Sequence, residues 1–429
     1  MKFFKPFDHP EIPIFPKKDY NIKDFGAIPD CDIKCTKAIA DAINECSKNG
    51  GGRVIIPKGK WLTGAIHFKD NVNLHLEQGS LVVFSKDFND YLPVVFGVLG
   101  GTRCYSVSHL LYAHKCKNIA LTGSGTLDGN GEAWWPMLHN RGVIRDLLQK
   151  GKRRVPLEER VYDKPDFSLR PRMLQFVDCE NILVEGVTFI NSPSWTLHPV
   201  WCKNITVRNI NIKNPPIGPN TDGINFDSCK RGLIEGCKIE TGDDIICLKT
   251  LSNEDAWDVG IPCEDIEIRN CTAPGGHGAI TIGSETSANI KNAYIHDCDF
   301  GRVYSAVRIK SMPGRGGYVE NIDIENITAD ISITEAVILT LRYNEDFSHK
   351  RNTVFNNMPS FRNISINNVK CNKANRGIYA LGEENSPLEN IYISDITTDA
   401  FEPMKMEYVK NLNLSNINLG CCEKMSEKL

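Results

Sequence analysis

Four short polar clusters follow one another along the chain: Asn220-Thr221-Asp222, Gly242-Asp243-Asp244, Gly276-His277-Gly278 and Arg308-Ile309-Lys310. Carboxyls a few ångströms apart repel when all are ionised, so the group Asp222, Asp243 and Asp244 is expected to keep at least one proton near neutral pH. It would then offer an acid beside a base. Hydrolysis of a glycosidic bond needs such a pair, one carboxyl to protonate the leaving oxygen and another to activate water. Arg308 and Lys310, two apart on a strand, would share a face and suit a carboxylate on the substrate. Taken singly, N-T-D and G-D-D are ordinary turns, because Asn and Asp bond nearby backbone and Gly accepts positive φ. Their order and spacing carry the argument.

That spacing asks for a repeated element. From Asp222 to Asp243 is 21 residues, from Asp244 to His277 is 33 and from His277 to Arg308 is 31. The phrases CKNIALTG, CENILVEG, CKNITVRN, CKRGLIEG and CEDIEIRN begin at Cys116, Cys179, Cys202, Cys229 and Cys263, and weaker copies such as FRNISINN and LENIYISD follow. Each alternates apolar with polar residues, the mark of a short strand with one buried face. Recurrence every 21 to 27 residues (Asn181 to Asn204, Asn363 to Asn390, Asn390 to Asn411) predicts an all-β parallel β-helix, because a lone coil cannot bury its own inner face and stacked coils can. The clusters would then line neighbouring coils of one groove, with one loop insertion in each of the two longer intervals. The repeated Asn residues are expected to be structural, their amides satisfying stacked turns.

Thr36 to Ser47 reads as an amphipathic helix, with Ala38, Ile39, Ala42, Ile43 and Cys46 on one face and a triple glycine after it; it is expected to cap the first coil. Residues 1–20 read as an arm and 21–429 as one solenoid. The stretch from Leu138 to Arg172 breaks the rhythm and carries ten Arg or Lys against five acids, a basic loop expected to wall a groove for an anionic ligand. The chain as a whole has 50 basic and 53 acidic residues, which argues against a nucleic-acid coat. No run reaches about 18 apolar residues, so no membrane span is expected, and the start MKFFKPFDHPEIPIFP lacks an export-signal core. A cytoplasmic location is therefore expected. The 16 cysteines contain no C-x-x-C pair suited to zinc and read as reduced core residues.

The ordered set N-T-D, G-D-D, G-H-G and R-I-K resembles the polygalacturonases of glycoside hydrolase family 28, and the likeness extends to YNIKDFGA near the start and SPSWTLHP from Ser192. The resemblance implies a right-handed parallel β-helix that hydrolyses α-1,4-galacturonosidic bonds in pectic polysaccharide or oligosaccharide with inversion, without metal or organic cofactor. It implies Asp243 as general acid, Asp222 and Asp244 as the pair that activates water, and His277 as support for the acid. It implies Arg308 and Lys310 as the grip on the substrate carboxylate, with Asn220 in the binding site and Tyr343 as the family tyrosine one coil later. Arg170, Arg172 and His198 are further expected subsite contacts, and the basic insertion would favour attack from a chain end. Rhamnogalacturonan hydrolysis, a calcium-dependent lyase using the same aspartates, and a non-catalytic carbohydrate-binding solenoid are the competing readings.

Overall fold

The computed structural model describes residues 1–30, 32–139, 141–343 and 356–426. It divides into two compact units, one of Asp8–Asn225 with Cys229–Gly242, the other of Met1–Phe7, Phe226–Ser228 and the chain from Asp243 onward. Each is a stack of right-handed parallel β-helical coils.

In the first unit, strands Asp19–Asn21, Gly52–Ile56, Val72–Leu76, Lys117–Gly123, Glu180–Glu185, Lys203–Arg208 and Lys230–Glu235 pair in parallel, one per coil. Ile119, Ile182 and Ile205 are register partners and are fully buried, so the alternation read from the repeated phrases corresponds to one inward column. In the second unit, Cys263–Arg269, Ile290–Lys310, Tyr318–Thr340, Ser360–Leu381, Leu388–Glu407 and Val409–Cys421 stack in the same way.

The repeated asparagines form ladders. Asn181 Nδ2 donates to Asn118 Oδ1 at 2.9 Å and Asn204 Nδ2 donates to Asn181 Oδ1 at 3.0 Å. In the second unit Asn363, Asn390 and Asn411 each donate to the asparagine one coil earlier. All these residues have φ between 52° and 57°. Asparagine tolerates that left-handed conformation and supplies both a donor and an acceptor, so one residue type turns the chain and joins the coils. Of the fifteen described cysteines, none is disulfide-bonded and thirteen are buried; Cys202 Sγ, for instance, donates to Phe176 O one coil earlier at 3.3 Å.

Helix α1, Thr36–Lys48, buries the five expected residues and packs on the first strands. The basic insertion is not a loop. It contains a second helix, α2 (Arg141–Lys152), whose Val143 and Leu147 pack with Leu99, Cys104 and Tyr162. Those partners belong to a small sheet of Val95–Leu99, Thr102–Ser106 and Val161–Tyr162. Among the described residues no helix is long and apolar enough to cross a membrane.

Asn181 is an interior rung with a bond on either side. Asn181→Ala should lower unfolding free energy by about 2 kcal/mol, from lost bonds plus left-handed strain, and Asn181→Gly should cost less because glycine keeps the turn. Denaturant titration of the two variants provides the comparison; equal losses would remove the conformational part of the argument.

Candidate active site

The first two clusters meet at a glycine. Thr221 Oγ1 accepts the Gly242 N–H at 3.0 Å and donates to Gly218 O at 2.8 Å. A Cβ on Gly242 would lie 2.2 Å from Gly218 O, so only glycine allows this approach. Asn214 Nδ2 holds Thr221 O, and Asp222 O accepts the Thr196 N–H at 2.8 Å. Asp222 is 3% exposed.

Arg170, expected as a substrate contact, is half-buried and bonded within the protein. Its guanidinium donates to Pro193 O, to Pro219 O at 2.6 Å and to Asn220 Oδ1 at 2.7 Å, so it clamps the turn before Asp222 and occupies Asn220. Arg172 is likewise turned inward: it stacks 4.2 Å from the Trp195 ring centroid and donates to Ser194 Oγ. His198 is fully buried, with Nδ1 2.8 Å from Gln175 Nε2 and its ring edge-on to Trp195. Of these three expected subsite contacts, Arg172 and His198 are buried and Arg170 is half-buried, with its guanidinium on the turn before Asp222.

In the second unit, Asp243, Asp244, His277, Arg308, Lys310 and Tyr343 come together. Asp244 lies just before strand Ile246–Lys249, and its side chain is 4% exposed. Oδ1 accepts the Gly278 N–H and Oδ2 accepts from Lys310 Nζ, both at 2.9 Å, while Cys247 Sγ is 3.5 Å away. A Cβ on Gly278 would stand 2.7 Å from Asp244 Oδ1 and 2.1 Å from Thr281 Oγ1, which accounts for the second glycine of G-H-G. Burial opposes ionisation of Asp244, but Lys310, then Arg308 and Lys249, outweigh it and hold the carboxyl well below the usual carboxylate range. Asp244 is therefore the ionised member expected of the carboxylate group.

Asp243 is more open, 24% exposed. Its Oδ1 accepts the Asp244 N–H at 2.8 Å and lies 3.3 Å from His277 Nδ1. The backbone joins the same pair of coils, with His277 N–H on Asp243 O at 2.9 Å. Arg308 and Lys310 do share a face: their cationic groups lie 5.5 and 4.9 Å from the Tyr343 ring centroid. Their commitments differ, however. Lys310 is buried and bound to Asp244, whereas the half-buried Arg308 guanidinium lies over the Tyr343 ring and acts on Asp244 through its charge.

Two residues of this site were not singled out from the sequence. Lys249 is buried with Nζ 3.4 Å from Glu285 Oε2, and Glu285 is held down to about 2, its burial outweighed by Lys249 and Arg315. A lysine ending the apolar run IICLK was its sequence signal. Tyr304 meets the His277 ring edge-on at 4.5 Å, and nothing in the spacing marked it.

Parallel coils thus bring carboxylates, an imidazole and cations together on a β-helix. The model of glycosyl hydrolases family 28 matches residues 158–422. A probable polygalacturonase of Vitis vinifera is 32% identical over 318 residues, 72% of this chain and 60% of that protein, so the chain spans about three-fifths of that relative's length. An exo-poly-alpha-D-galacturonosidase of Dickeya chrysanthemi is 24% identical, with 94% of this chain and 72% of that protein covered. Among solved structures, a hyperthermoactive exopolygalacturonase from Thermotoga maritima superposes with a TM-score of 0.90 at 36% identity, covering 96% of this chain and 94% of that one. The chain belongs to glycosyl hydrolases family 28.

Lys310→Met would leave Asp244 buried without its cation, and the loss should exceed about 3 kcal/mol at neutral pH. A depressed native carboxyl contributes stability above its ordinary value near pH 4 that is lost as pH falls through the native value. The gap between wild type and variant should therefore be full at pH 7 and close as the medium is acidified below about pH 4. Unfolding curves across that range measure it; a gap independent of pH would mean that Lys310 acts by packing alone.

Proposed function

We propose that the protein is an inverting, exo-acting hydrolase of α-1,4-galacturonosidic bonds in polygalacturonate or oligogalacturonides. The observation that carries the substrate class is the Arg308 guanidinium, half-buried beside Tyr343 while its neighbour Lys310 serves Asp244. A uronate supplies a planar carboxylate on every sugar unit, and a guanidinium fork suits it. The likeness to the Thermotoga maritima exopolygalacturonase at 36% identity supports attack from a chain end.

In this reading Asp243 transfers its proton to the glycosidic oxygen as the bond to the anomeric carbon breaks. Water enters from the opposite face and gives its proton to the Asp244 carboxylate, with Asp222 the second carboxylate that the family resemblance implies for this step, so configuration inverts. Asp244 suits the base side because Lys310 and Arg308 keep it ionised. Asp243 suits the acid side because it is the more open carboxyl and has His277 beside it. A calcium lyase is disfavoured by chemistry at Asp244, where an ammonium group already holds the oxygen that would ligate the ion.

Polygalacturonate digested over time should yield galacturonic acid alone from the first time point, with proton NMR showing the β-anomer formed first; a ladder of sizes would replace exo with endo action. Asp243→Asn should lower kcat by about 10² to 10⁴. Arg308→Lys should mainly raise KM. Turnover of rhamnogalacturonan in preference to polygalacturonate would overturn the substrate assignment.

A further inference from the structure

We infer that Tyr304 is a positioning residue that fixes the His277 imidazole against Asp243, and that a β-bulge in the next coil holds Tyr304 in place. The inference rests on the role proposed for His277 above.

His277 is weakly restrained by its polar contact alone. At 3.3 Å, the Nδ1 to Asp243 Oδ1 separation is long for a charge-assisted bond. The imidazole is about one-third exposed, its side chain standing at 34%. The Tyr304 ring lies 4.5 Å away, centroid to centroid, at 66°, an edge-to-face contact that favours a single tilt of the imidazole. The two residues are coil neighbours, since Gly276 pairs with Val303 and Gly278 with Ser305.

Tyr304 sits where the regular ladder fails. Ile290–Lys310 pairs with Tyr318–Thr340 in step up to Val303 with Ser332, and the pairing resumes at Val307 with Val337. The second strand therefore has one residue more than the first over this interval. On its other side Ser332 pairs with Ala374 and Glu335 with Arg376, again one residue extra, which places the bulge at Ile333–Thr334. Thr334 uses its hydroxyl to serve the disturbed strand: Oγ1 donates to Tyr304 O at 2.7 Å and lies 3.0 Å from Ser305 Oγ. Ser305 Oγ in turn donates to Glu335 Oε2 at 3.0 Å, and Arg376 holds Glu335 Oε1 at 2.6 Å. Ser305 is fully buried and Glu335 nearly so, so this polar chain fixes the backbone at Tyr304 from a second coil away. A bulge that re-aims a neighbouring side chain beside a reactive centre gives Tyr304 a function beyond filling space.

Three variants test this: Tyr304→Ala, Tyr304→Phe and Thr334→Val, the last removing only the hydroxyl behind the bulge. Tyr304→Ala should lower kcat on oligogalacturonides by about tenfold with KM within about twofold and should move the alkaline limb of the kcat profile. Tyr304→Phe keeps the ring and should restore kcat to within about twofold of wild type, with Thr334→Val between the two. Histidine NMR on the unliganded protein should show the His277 titration displaced in Tyr304→Ala and Thr334→Val and unchanged in Tyr304→Phe. A raised KM with normal kcat would make Tyr304 a substrate contact, and equal losses in Phe and Ala would assign the effect to its hydroxyl; either result overturns the proposal, as does an unmoved His277 titration. Should Tyr304→Ala fail to fold, Thr334→Val carries the same test. The NMR arm needs no turnover, so an inactive wild type would refute the proposed function and leave this inference separately decidable.

Discussion

Parallel register between coils is the constraint on which everything else in this protein depends. Adjacent strands lie about 4.8 Å apart, and each residue must present the same face as its partners above and below. A turn residue that works in one coil therefore works best when repeated. Asparagine meets that demand because its amide bridges to the neighbouring rung while its backbone accepts a left-handed φ, as at Asn118, Asn181 and Asn204. Where Arg231 takes the next place, the bond to Asn204 lengthens to 3.5 Å. The same register carries the clusters of polar residues, since a motif in one coil can only be answered by residues at matching positions in the next.

The electrostatics of the site follow from these columns. Thr281, Arg308 and Ile338 are register partners, and Lys310 pairs with Thr340 one step further along the face. A glycine, Gly283, stands in the coil between Lys249 and Lys310; a Cβ there would lie 2.0 Å from Lys310 O. Two lysines are thus brought to bear on one buried aspartate. Desolvating an ion pair costs several kcal/mol, and apolar residues of the same volume would serve stability as well or better. The Asp244–Lys310 pair is better understood as setting a protonation state. With Lys310 committed in this way, two cations that look alike in R-I-K have different surroundings, one bonded to a buried carboxylate and the other half-buried over the Tyr343 ring.

Legibility from the sequence tracked regularity. The parallel coils, the structural asparagines and the buried cysteines were readable because each recurs with the coil period, and the capping helix because Ala38, Ile39, Ala42, Ile43 and Cys46 fall at helical spacing. Helix α2 was missed because seven charged residues dominate Arg141–Arg154, against the few apolar residues, Val143, Ile144 and Leu147, that pack inward. Arg170, Arg172 and His198 were read as ligand contacts because a cation or imidazole near a motif invites that reading. Only coordinates show that Arg170 spends its guanidinium on Pro219 O and Asn220, or that Trp195 stands between the other two. The motif residues themselves were legible as types and order. Which aspartate is ionised was not, because that depends on Lys249 and Lys310 meeting across coils.

Regularity also limits what a β-helix can do. Side chains on an unbroken parallel ladder stand perpendicular to the sheet and repeat at strand spacing, whereas here an imidazole is turned toward Asp243 and not toward Asp244. Lateral displacement requires a fault in the ladder. Both units have such departures: in the first, Gly242 admits Gly218 O; in the second, Gly278 carries no side chain where Thr281 and Asp244 crowd the backbone, and Thr334 is inserted beside Tyr304. Each is answered by a side chain from an adjacent coil: the Asp244 carboxylate takes the Gly278 N–H, the Thr221 hydroxyl takes the Gly242 N–H, and the Thr334 hydroxyl bonds Tyr304 O. The stacked asparagines keep the surrounding coils rigid enough for such faults to persist, so the repeat and its interruptions are parts of one device.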